Sequence, residues 1–512
     1  MTPASSRSRR GAVGAVVALL VGLTACGSPG PPPAPGPTAP VGPVASACDG
    51  VTVGPADDIQ SLVDAHPPGT TFCLTAGTHR VGTPLVPRDG DAFVGEPGAV
   101  LSGSRELTGW RQIAPTAWST TGFLPSAPST YGECIPTEPA CTYAEDVFLD
   151  KQRLHRVASL AAVTSGTVYA DYARNSIVIG DDPGARLVEQ AVAPSLIRGT
   201  VDDVTVENLV IEQAANEAQV GAIENRQVEP ETTGSGWRIL NNEIRLNHGL
   251  GIGFGDASTV SGNLIHQQGQ LGFAAWGRDS VLRDNEIADN GVAGYSFEWE
   301  AGGSKIYLTR NLLVSHNDVH DNRGPGLWTD GGNTDTTYEY NRVVDNWGAG
   351  IQHEISYDAR ITHNLVTGNG RSHKGWAWEA GIQIQSSGGG GLIEVAYNVV
   401  TDNANGVTVL DSGDRAYEDP APYGPHVVQN IRVHDNTIIM SADQGTGVVE
   451  DTGRPDVFLP DSNIRFDNNT YRLDSLTGPH FYWNGEDIDW YAWTGSGNGN
   501  DIGGRASVLS AG

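Results

Sequence analysis

The sequence predicts an all-β solenoid, and its composition and an internal repeat carry this prediction. Among the 512 residues Gly (66) and Pro (30) are abundant while Met occurs twice, a balance that favours strands and turns over helices. From residue 204 onward, an Asn followed two positions later by Val or Ile recurs at intervals as short as 21 to 24 residues. Periods of 20 to 30 residues are typical of solenoids. The recurring pairs are Asn208/Val210, Asn242/Ile244, Asn263/Ile265, Asn285/Ile287, Asn317/Val319, Asn341/Val343, Asn364/Val366, Asn398/Val400 and Asn436/Ile438.

The residues between these Asn positions favour a β-solenoid over a leucine-rich or ankyrin stack. They form short strand-like runs separated by Gly and Asn turns, without a helical period. A second Asn column precedes the Gly that opens each strand. Asn tolerates the left-handed conformation of a tight corner and can bond to the Asn above and below it. We therefore predict a structural role for both columns. The second column comprises Asn290, Asn322, Asn346, Asn369 and Asn403.

The N-terminus is predicted to be a targeting segment. Arg7, Arg9 and Arg10 precede an apolar run from Gly11 to Leu23, which suits the core of a signal peptide over residues 1–25. The tetrapeptide that ends in Cys26 resembles the bacterial lipobox, which would make Cys26 the lipidated first residue of the mature protein. Ordinary secretion with cleavage nearby is the alternative. We expect an exported protein, lipid-anchored on the outer face of the cytoplasmic membrane or secreted.

Residues 26–47 are Pro-rich and predict an extended linker. Export implies an oxidising compartment, so the four remaining cysteines are expected to pair. Closeness in sequence favours Cys48–Cys73 and Cys134–Cys141, although the sequence leaves the other connectivities open.

The β-solenoid is divided by one interruption. Residues 48–104 contain a short amphipathic helix at 57–66 followed by brief strands, and they resemble the capped first turns of right-handed parallel β-helix proteins. Residues 105–200 break the rhythm, which predicts an inserted β-rich subdomain; a set of long loops is the alternative. Residues 201–512 form the main solenoid.

Charge limits the possible partners. The net charge of −29 argues against nucleic acid, because binding its backbone needs clustered Lys and Arg. It also argues against direct contact with an anionic membrane surface, so we expect membrane contact only through a lipid anchor. A strongly anionic polysaccharide is an awkward substrate unless a basic pocket or a metal offsets the field. We expect a monomer.

Four short segments share a pattern that predicts a column of polar groups. Each opens with Gly and ends in Glu298, Asp330, Glu354 or Gln385. Because side chains alternate between the two faces of a strand, these last residues would stack on one surface if the segments are neighbours. We predict Asp330, Glu354 and Glu298 as catalytic residues, and we place Gln352 and Gln385 beside them as substrate-binding residues.

Two of the longer repeats predict loops that flank this column. The extra segments are 299–310 and 371–380, and insertions in a solenoid emerge as loops that often form the binding face. Aromatic rings offer flat faces for sugars. The predicted substrate-binding residues in the loops and on the strands are Trp276, Trp299, Trp328, His373, Lys374, Trp376 and Trp378.

The spacing of the column predicts acid–base chemistry. Neighbouring strands lie about 4.8 Å apart, so the carboxyl groups of Asp330 and Glu354 should be separated by roughly 5 Å, as in retaining glycosidases. Two carboxylates this close cannot both ionise easily, which would leave one protonated near neutral pH. His353 should point inward by strict alternation and is predicted to be a core residue.

Residues 48–104 and 201–495 look like the right-handed parallel β-helix repeat superfamily, the pectate-lyase-like fold. The Gly-x-Trp-x-Asp strand ending at Asp330, followed by a strand ending at Glu354, is similar to β-helix glycoside hydrolases of the β-xylosidase type. The resemblance implies that Asp330 is the nucleophile and Glu354 the acid/base, without a cofactor or a metal. Those glycoside hydrolases also carry a β-rich insertion early in the helix, which would correspond to residues 105–200 here.

The sequence therefore predicts an extracellular carbohydrate-active enzyme, a retaining glycoside hydrolase that acts on a polysaccharide or oligosaccharide. A polysaccharide lyase or uronate epimerase on the same fold is the first alternative. It would need a base and a cation supplied by Arg371, Lys374, Lys305 or calcium. A non-catalytic cell-surface glycan-binding protein is the second alternative.

Overall fold

A computed structural model describes residues 35–45, 47–227, 232–372, 375–413, 424–495 and 498–509. The predicted signal peptide (1–25), Cys26, His373 and Lys374 lie outside the described residues. The helices of the described part are Ile59–Ala65 and Trp490–Thr494, with 3₁₀ turns at Leu160–Ala162, Pro455–Phe458 and Pro460–Ser462. No helix among the described residues is long and apolar enough to cross a membrane.

Three long sheets wind into a right-handed parallel β-helix, which confirms the predicted fold class. From residue 197 onward each coil contributes one strand to each sheet, and strands of successive coils pair in parallel. Sheet 1 contains Val51–Val53, Thr71–Leu74, Ala92–Gly95, Thr205–Glu207, Arg238–Leu240, Thr259–Ser261, Val281–Arg283, Leu313–Ser315, Thr336–Glu339, Ala359–Thr362, Gly388–Ala396, Gln429–His434 and Ile464–Asp467. Sheet 2 contains Gly77–Arg80, Ala99–Ser102, Val210–Glu212, Glu243–Arg245, Leu264–His266, Glu286–Ala288, Asp318–His320, Arg342–Val344, Leu365–Thr367, Val399–Thr401, Thr437–Met440, Thr470–Leu473 and Arg505–Val508.

Sheet 3 carries the predicted polar column. Its strands are Ile197–Arg198, Gly221–Glu224, Leu250–Phe254, Leu271–Arg278, Gly302–Arg310, Leu327–Asp330, Ile351–Glu354, Ala380–Gln385, Asn405–Asp411, Thr446–Glu450, Phe481–Trp483 and the antiparallel Glu486–Ile488. Inward columns such as Ile252–Phe273 and Ile351–Ile382–Val407 fill the core, so the alternate positions face outward.

Buried Asn ladders form the corners, as the stacking of both Asn columns predicts, but the left-handed residue at these corners is the one before the Asn, such as His316 or Asp321. At the corner between sheets 1 and 2, Asn317 Nδ2 donates to Asn341 Oδ1 at 3.0 Å and to Leu282 O at 3.1 Å. The same pattern continues along the coils until Asn469 donates to Asp501 at 2.9 Å. At the corner between sheets 2 and 3, Asn322 bonds to Asn346 in the same way at 2.8 Å.

Caps close both ends of the core. Asp58 accepts a hydrogen bond from the Ser61 amide at 3.1 Å and so begins the helix Ile59–Ala65, which buries Ile59 and Val63. At the other end the helix Trp490–Thr494 covers the core, and its fully buried Trp493 stacks on Phe481.

An insertion interrupts the coils between the second and third strands of sheet 2. Residues 104–191 build two small sheets around a separate core that includes Val147, Val168 and Ile177. The first comprises Gln152–Arg153, Val147–Leu149, Val188–Ala191 and Ser104–Glu106; the second comprises His155–Arg156, Thr167–Asp171, Ser176–Ile179, Ala117–Thr121 and Arg111–Ala114. A separate hairpin pairs Arg226–Gln227 with Thr232–Thr233. Both disulfide pairings favoured by the sequence are present, Cys48–Cys73 and Cys134–Cys141.

Part of the predicted linker lies on the β-helix. Residues 35–45 cross the corners between sheets 1 and 2: Gly36 N donates to Tyr340 O at 2.8 Å, Thr38 N to Asp284 at 3.0 Å, and Val44 N to Asn208 at 3.1 Å. The polyproline II rise of about 3.1 Å per residue suits this path, because eight residues then cover about 25 Å, close to five coil steps of about 4.8 Å. We call residues 35–45 the strap.

Candidate active site

Three of the four predicted segments are neighbouring strands of sheet 3. In their pairing Asp330 lies opposite Glu354, which lies opposite Gln385. The preceding outward column contains Trp328, Gln352 and Gln383 in the same register. These side chains therefore share one outward surface, as alternation along the strands predicts.

The fourth segment is not part of this stack, so the predicted register of Glu298 is wrong. Residues 294–298 lie in a turn in which Tyr295 bridges to Cys134 of the insertion, and Glu298 is exposed. The strand below Leu327–Asp330 is Gly302–Arg310, with Ile306 opposite Thr329. Residues 294–298 thus pair with the insertion and not with sheet 3. The sheet resumes at Gly302, eight residues after Gly294.

Lys305 on the strand Gly302–Arg310 brings a cation to Asp330, where the prediction expected a further carboxylate. It neighbours Trp328 in the outward column, and its Nζ lies 2.6 Å from Asp330 Oδ2 and 4.7 Å from the centre of the Trp328 ring. A second ion pair joins it to Glu300. Burial alone would lower the pKa of Lys305, but the charges of Asp330 and Glu300 outweigh burial and raise it. The ammonium group therefore stays charged at neutral pH.

Glu354 is held by two neutral donors. Trp328 Nε1 lies 3.1 Å and Gln352 Nε2 2.9 Å from the same oxygen, Glu354 Oε2. Glu354 is 6% exposed, whereas the side chain of Asp330 is 21% exposed.

Amide side chains continue the surface beyond Glu354. Gln352 Nε2 lies 3.4 Å and Gln383 Nε2 2.9 Å from Gln385 Oε1, and Gln383 Oε1 accepts from the Glu379 amide at 3.0 Å. Of the predicted binding residues here, Gln352 is half-buried and Gln385 is buried. Gln352 therefore presents the more accessible amide.

The predicted aromatic residues do not all lie beside the carboxyl pair. Trp328 lies within the cluster around Lys305 and Glu354, and Trp276 lies on the same sheet under the guanidinium of Arg226, 4.0 Å away. Trp299 packs against Tyr131 and Tyr295 beside the disulfide loop. Trp378 packs against a small cluster that includes Leu410. Trp376 lies in another cleft, described below.

One of the possible cations, Arg371, does not join the carboxyl pair. Arg371 pairs with Asp345 at 2.6 Å and belongs to the corner between sheets 2 and 3. Lys374 and His373 lie outside the described residues. Lys305 is therefore the cation that the described structure places beside Asp330.

Sequence reasoning missed several residues around the site, among them Tyr131, Gln219 and His426. Glu300 accepts a hydrogen bond from Gln219, which in turn accepts one from Tyr131 of the insertion at 2.6 Å. The buried His426 packs on Tyr357, with ring centres 4.4 Å apart. Burial lowers the pKa of His426, and the charge of Asp330 partly opposes this. The unusually long interval from Asn398 to Asn436 was the signal that a further loop could reach the site.

Glu224 is a further missed residue of sheet 3. It is 2% exposed and lies in the outward column below Lys305, separated from it by Gly253 and Ala274. Burial raises the pKa of Glu224 to about 7, although the charge of Arg226 opposes the shift. A carboxyl group that titrates near neutral pH therefore lies three strand steps from Lys305 and four from the strand of Asp330.

His353 is a core residue, as alternation predicts. Its ring nitrogens lie 2.8 Å from Thr329 Oγ1 and 3.0 Å from Tyr357 O, and burial lowers its pKa to about 4. Among the described residues, no group of three or more His, Cys, Asp or Glu side chains is arranged to hold a metal ion.

Comparison with known proteins identifies the fold. Residues 231–390 match the family model described as a right-handed β-helix region. The structure of XylC in complex with xylose is similar, with 16% identity and a TM-score of 0.59 over 81% of this chain and 80% of that chain. The mannuronan C-5 epimerase AlgE6 A-module of Azotobacter vinelandii has 14% identity and a TM-score of 0.45 over 89% and 94% of the two chains.

The catalytic unit of the GH87 α-1,3-glucanase of Streptomyces thermodiastaticus has 12% identity and a TM-score of 0.45, over 92% of this chain and 72% of that chain. No curated protein matches the sequence. At these identities the likeness concerns the fold.

Proposed function

The chain is a right-handed parallel β-helix protein, and from the carboxyl pair on its sheet 3 we propose that it is a retaining glycoside hydrolase. The observation that carries the proposal is the register of Asp330 opposite Glu354 on neighbouring strands. A strand spacing of about 4.8 Å places the two carboxyl groups roughly 5 Å apart, the separation at which one carboxylate can attack the sugar directly.

In the proposed first step the Asp330 carboxylate attacks the anomeric carbon while Glu354 gives its proton to the leaving oxygen. The glycosidic bond breaks and an ester forms between the sugar and Asp330. Glu354, now a carboxylate, takes a proton from water, which attacks the anomeric carbon and releases Asp330. The free sugar keeps its original anomeric configuration, and both carboxyl groups return to their starting states.

The neighbours of each carboxyl group suit these roles. Lys305 Nζ lies 2.6 Å from Asp330 Oδ2, and this charge-assisted contact fixes the orientation of the carboxyl group that would attack the sugar. Trp328 and Gln352 donate to one oxygen of Glu354 and so orient its carboxyl plane. The proposed acid is the more buried carboxyl group, and the proposed nucleophile is the one that pairs with Lys305.

Separate Asp330→Ala and Glu354→Ala variants test the proposal on aryl glycosides and on plant and microbial glycans. XylC shares the fold and its structure contains xylose, so xylosides belong in the panel. We expect both variants to lose activity on glycans, and azide to rescue Asp330→Ala by forming a glycosyl azide of inverted configuration. Full activity in either variant contradicts the proposal.

A polysaccharide lyase or uronate epimerase is the second candidate, and the position of Lys305 favours it. Such enzymes need a cation beside the base, and Lys305 lies between Asp330 and Glu300. Because both carboxylates already engage its ammonium, we favour hydrolysis. An unsaturated product that absorbs in the ultraviolet, with activity lost on calcium chelation, would support the lyase. Glycan binding without turnover would support a binding protein.

We also propose export with a lipid anchor at Cys26. The two disulfides suit an oxidising compartment, and the signal peptide and lipobox motif precede them. We expect the wild type in the membrane fraction, and a Cys26→Ser variant without the lipid. Persistence of the lipid on that variant contradicts the proposal. For the detergent-solubilised protein we expect the mass of a single chain in light scattering.

A further inference from the structure

A second cleft lies at the far end of sheet 3. It has a volume of about 350 Å³ and borders the starts of the strands Asn405–Asp411, Thr446–Glu450 and Phe481–Trp483. Trp376 forms one wall and is 41% exposed, with the Tyr482 ring edge-on to it at 5.0 Å. We call this the Trp376 cleft.

The exposed indole of the Trp376 cleft is fixed in place. Its Nε1 donates to Asp487 Oδ1 at 2.5 Å, and the Tyr482 ring that supports it is itself held by a hydrogen bond from its hydroxyl to Asn405 at 2.9 Å. A flat apolar face that is ordered before a ligand arrives loses little conformational entropy on binding. Such a face stacks well on the C–H side of a sugar ring.

Hydrogen-bond acceptors surround this aromatic face. Asp443, Asp474 and Asp487 line the cleft and are exposed, and Asp474 also accepts from His480 at 2.6 Å. The cleft lining, as far as the structure describes it, includes no Lys or Arg. Carboxylates accept hydrogen bonds from hydroxyl or ammonium groups, whereas they repel a carboxylate on the ligand.

The Trp376 cleft is separate from the carboxyl pair. From Gln352 the outward column passes through Gln383, Thr408 and Gly447 to Tyr482, four strand steps or about 19 Å at about 4.8 Å per step. Ala377 and Trp378 pack on the sheet over part of this path. A single sugar cannot bridge the two places.

From this geometry we propose that the Trp376 cleft is a secondary saccharide-binding site that takes a neutral or amino-substituted chain and excludes uronates. It would hold one part of a polysaccharide while another part occupies the carboxyl pair. Binding at the cleft does not depend on the hydrolase proposal, whereas its benefit to catalysis does.

Calorimetric titration of the full chain tests binding. The titrated protein carries the Asp330→Ala substitution, which prevents turnover. The ligands are a xylo-oligosaccharide, a chitosan oligosaccharide and an oligogalacturonate. We expect a neutral or aminated ligand to bind and a further Trp376→Ala change to weaken it at least tenfold. The matched control is Trp347→Ala, because Trp347 is equally exposed at 41% and does not line the cleft. Circular dichroism checks that each variant is folded.

Three results overturn the proposal: no ligand of the panel binds, Trp376→Ala binds as its parent does, or oligogalacturonate binds best. Where the wild type hydrolyses a polymer, Trp376→Ala should lose activity on the polymer and keep it on an aryl glycoside. Equal losses on both substrates also contradict a secondary site. Absence of hydrolysis by the wild type would contradict the hydrolase proposal while the titration still decides the cleft.

Discussion

Replacing Glu224 by Gln should remove a pH-dependent loss of stability. Glu224 is 2% exposed on sheet 3, and burial raises its pKa from an ordinary 4.5 to about 7. In the folded state the side chain therefore keeps a proton that the unfolded chain has released. Gln is close in shape to the protonated carboxyl group and cannot ionise, so the variant isolates this one titration.

The sign and size follow from proton linkage. Between pH 4.5 and about 7 the folded state binds more protons at this site than the unfolded state, so the free energy of unfolding falls as pH rises. The contribution is fully present below pH 4.5 and is lost at about pH 7. A shift of roughly 2.5 units at 1.36 kcal/mol per unit corresponds to about 3 kcal/mol.

Guanidinium denaturation followed by Trp fluorescence from pH 4 to pH 8 measures this difference. We expect Glu224→Gln to match the wild type at the acidic end and to be more stable by about 3 kcal/mol above pH 7. Parallel pH profiles for the two proteins would refute a raised pKa at Glu224.

Three further predictions concern residues outside the proposed catalytic pair. Lys305→Met should destabilise the protein by about 3 to 5 kcal/mol in denaturation, because it leaves the largely buried carboxylates of Asp330 and Glu300 without their cation; an unchanged midpoint contradicts this. Asn317→Ala should lower the free energy of unfolding by about 2 to 5 kcal/mol, because it breaks a fully buried ladder and leaves the Asn285 amide without its acceptor. The control Gln112→Ala, at an exposed position, should leave the free energy of unfolding unchanged. Asp284→Ala should speed hydrogen exchange in the strap, because it removes the acceptor of Thr38. The matched control Asp289→Ala, at another left-handed position, should leave this exchange unchanged. Equal exchange in both variants would contradict a strap held by Asp284.

The sequence predicted the features of the fold that depend on periodicity. The Asn interval predicted the coil, and the alternation along Leu327–Asp330 and Ile351–Glu354 placed their acidic ends together because the intervening 24 residues form one regular coil. Both disulfides followed from nearness in the chain. Local patterns were sufficient wherever each coil has the ordinary length.

Prediction failed where a coil is long enough to place more than one candidate strand on the sheet. Between Asn285 and Asn317 both residues 294–298 and Gly302–Arg310 could continue sheet 3. The choice depends on the bridge between Tyr295 and Cys134, a contact across more than 150 residues that no local pattern reveals. The same limit hid His426, which packs on Tyr357 although the two residues are far apart in the chain.

We propose that Asp330 as nucleophile and Glu354 as acid act on one sugar across a single strand step. The stereochemistry of the first-formed sugar tests it most directly, and proton NMR during hydrolysis of a glycoside of known configuration records it. A separation of roughly 5 Å predicts a product with the configuration of the substrate, because two displacements occur at the anomeric carbon. A product of opposite configuration, or an unsaturated product without hydrolysis, would contradict the account.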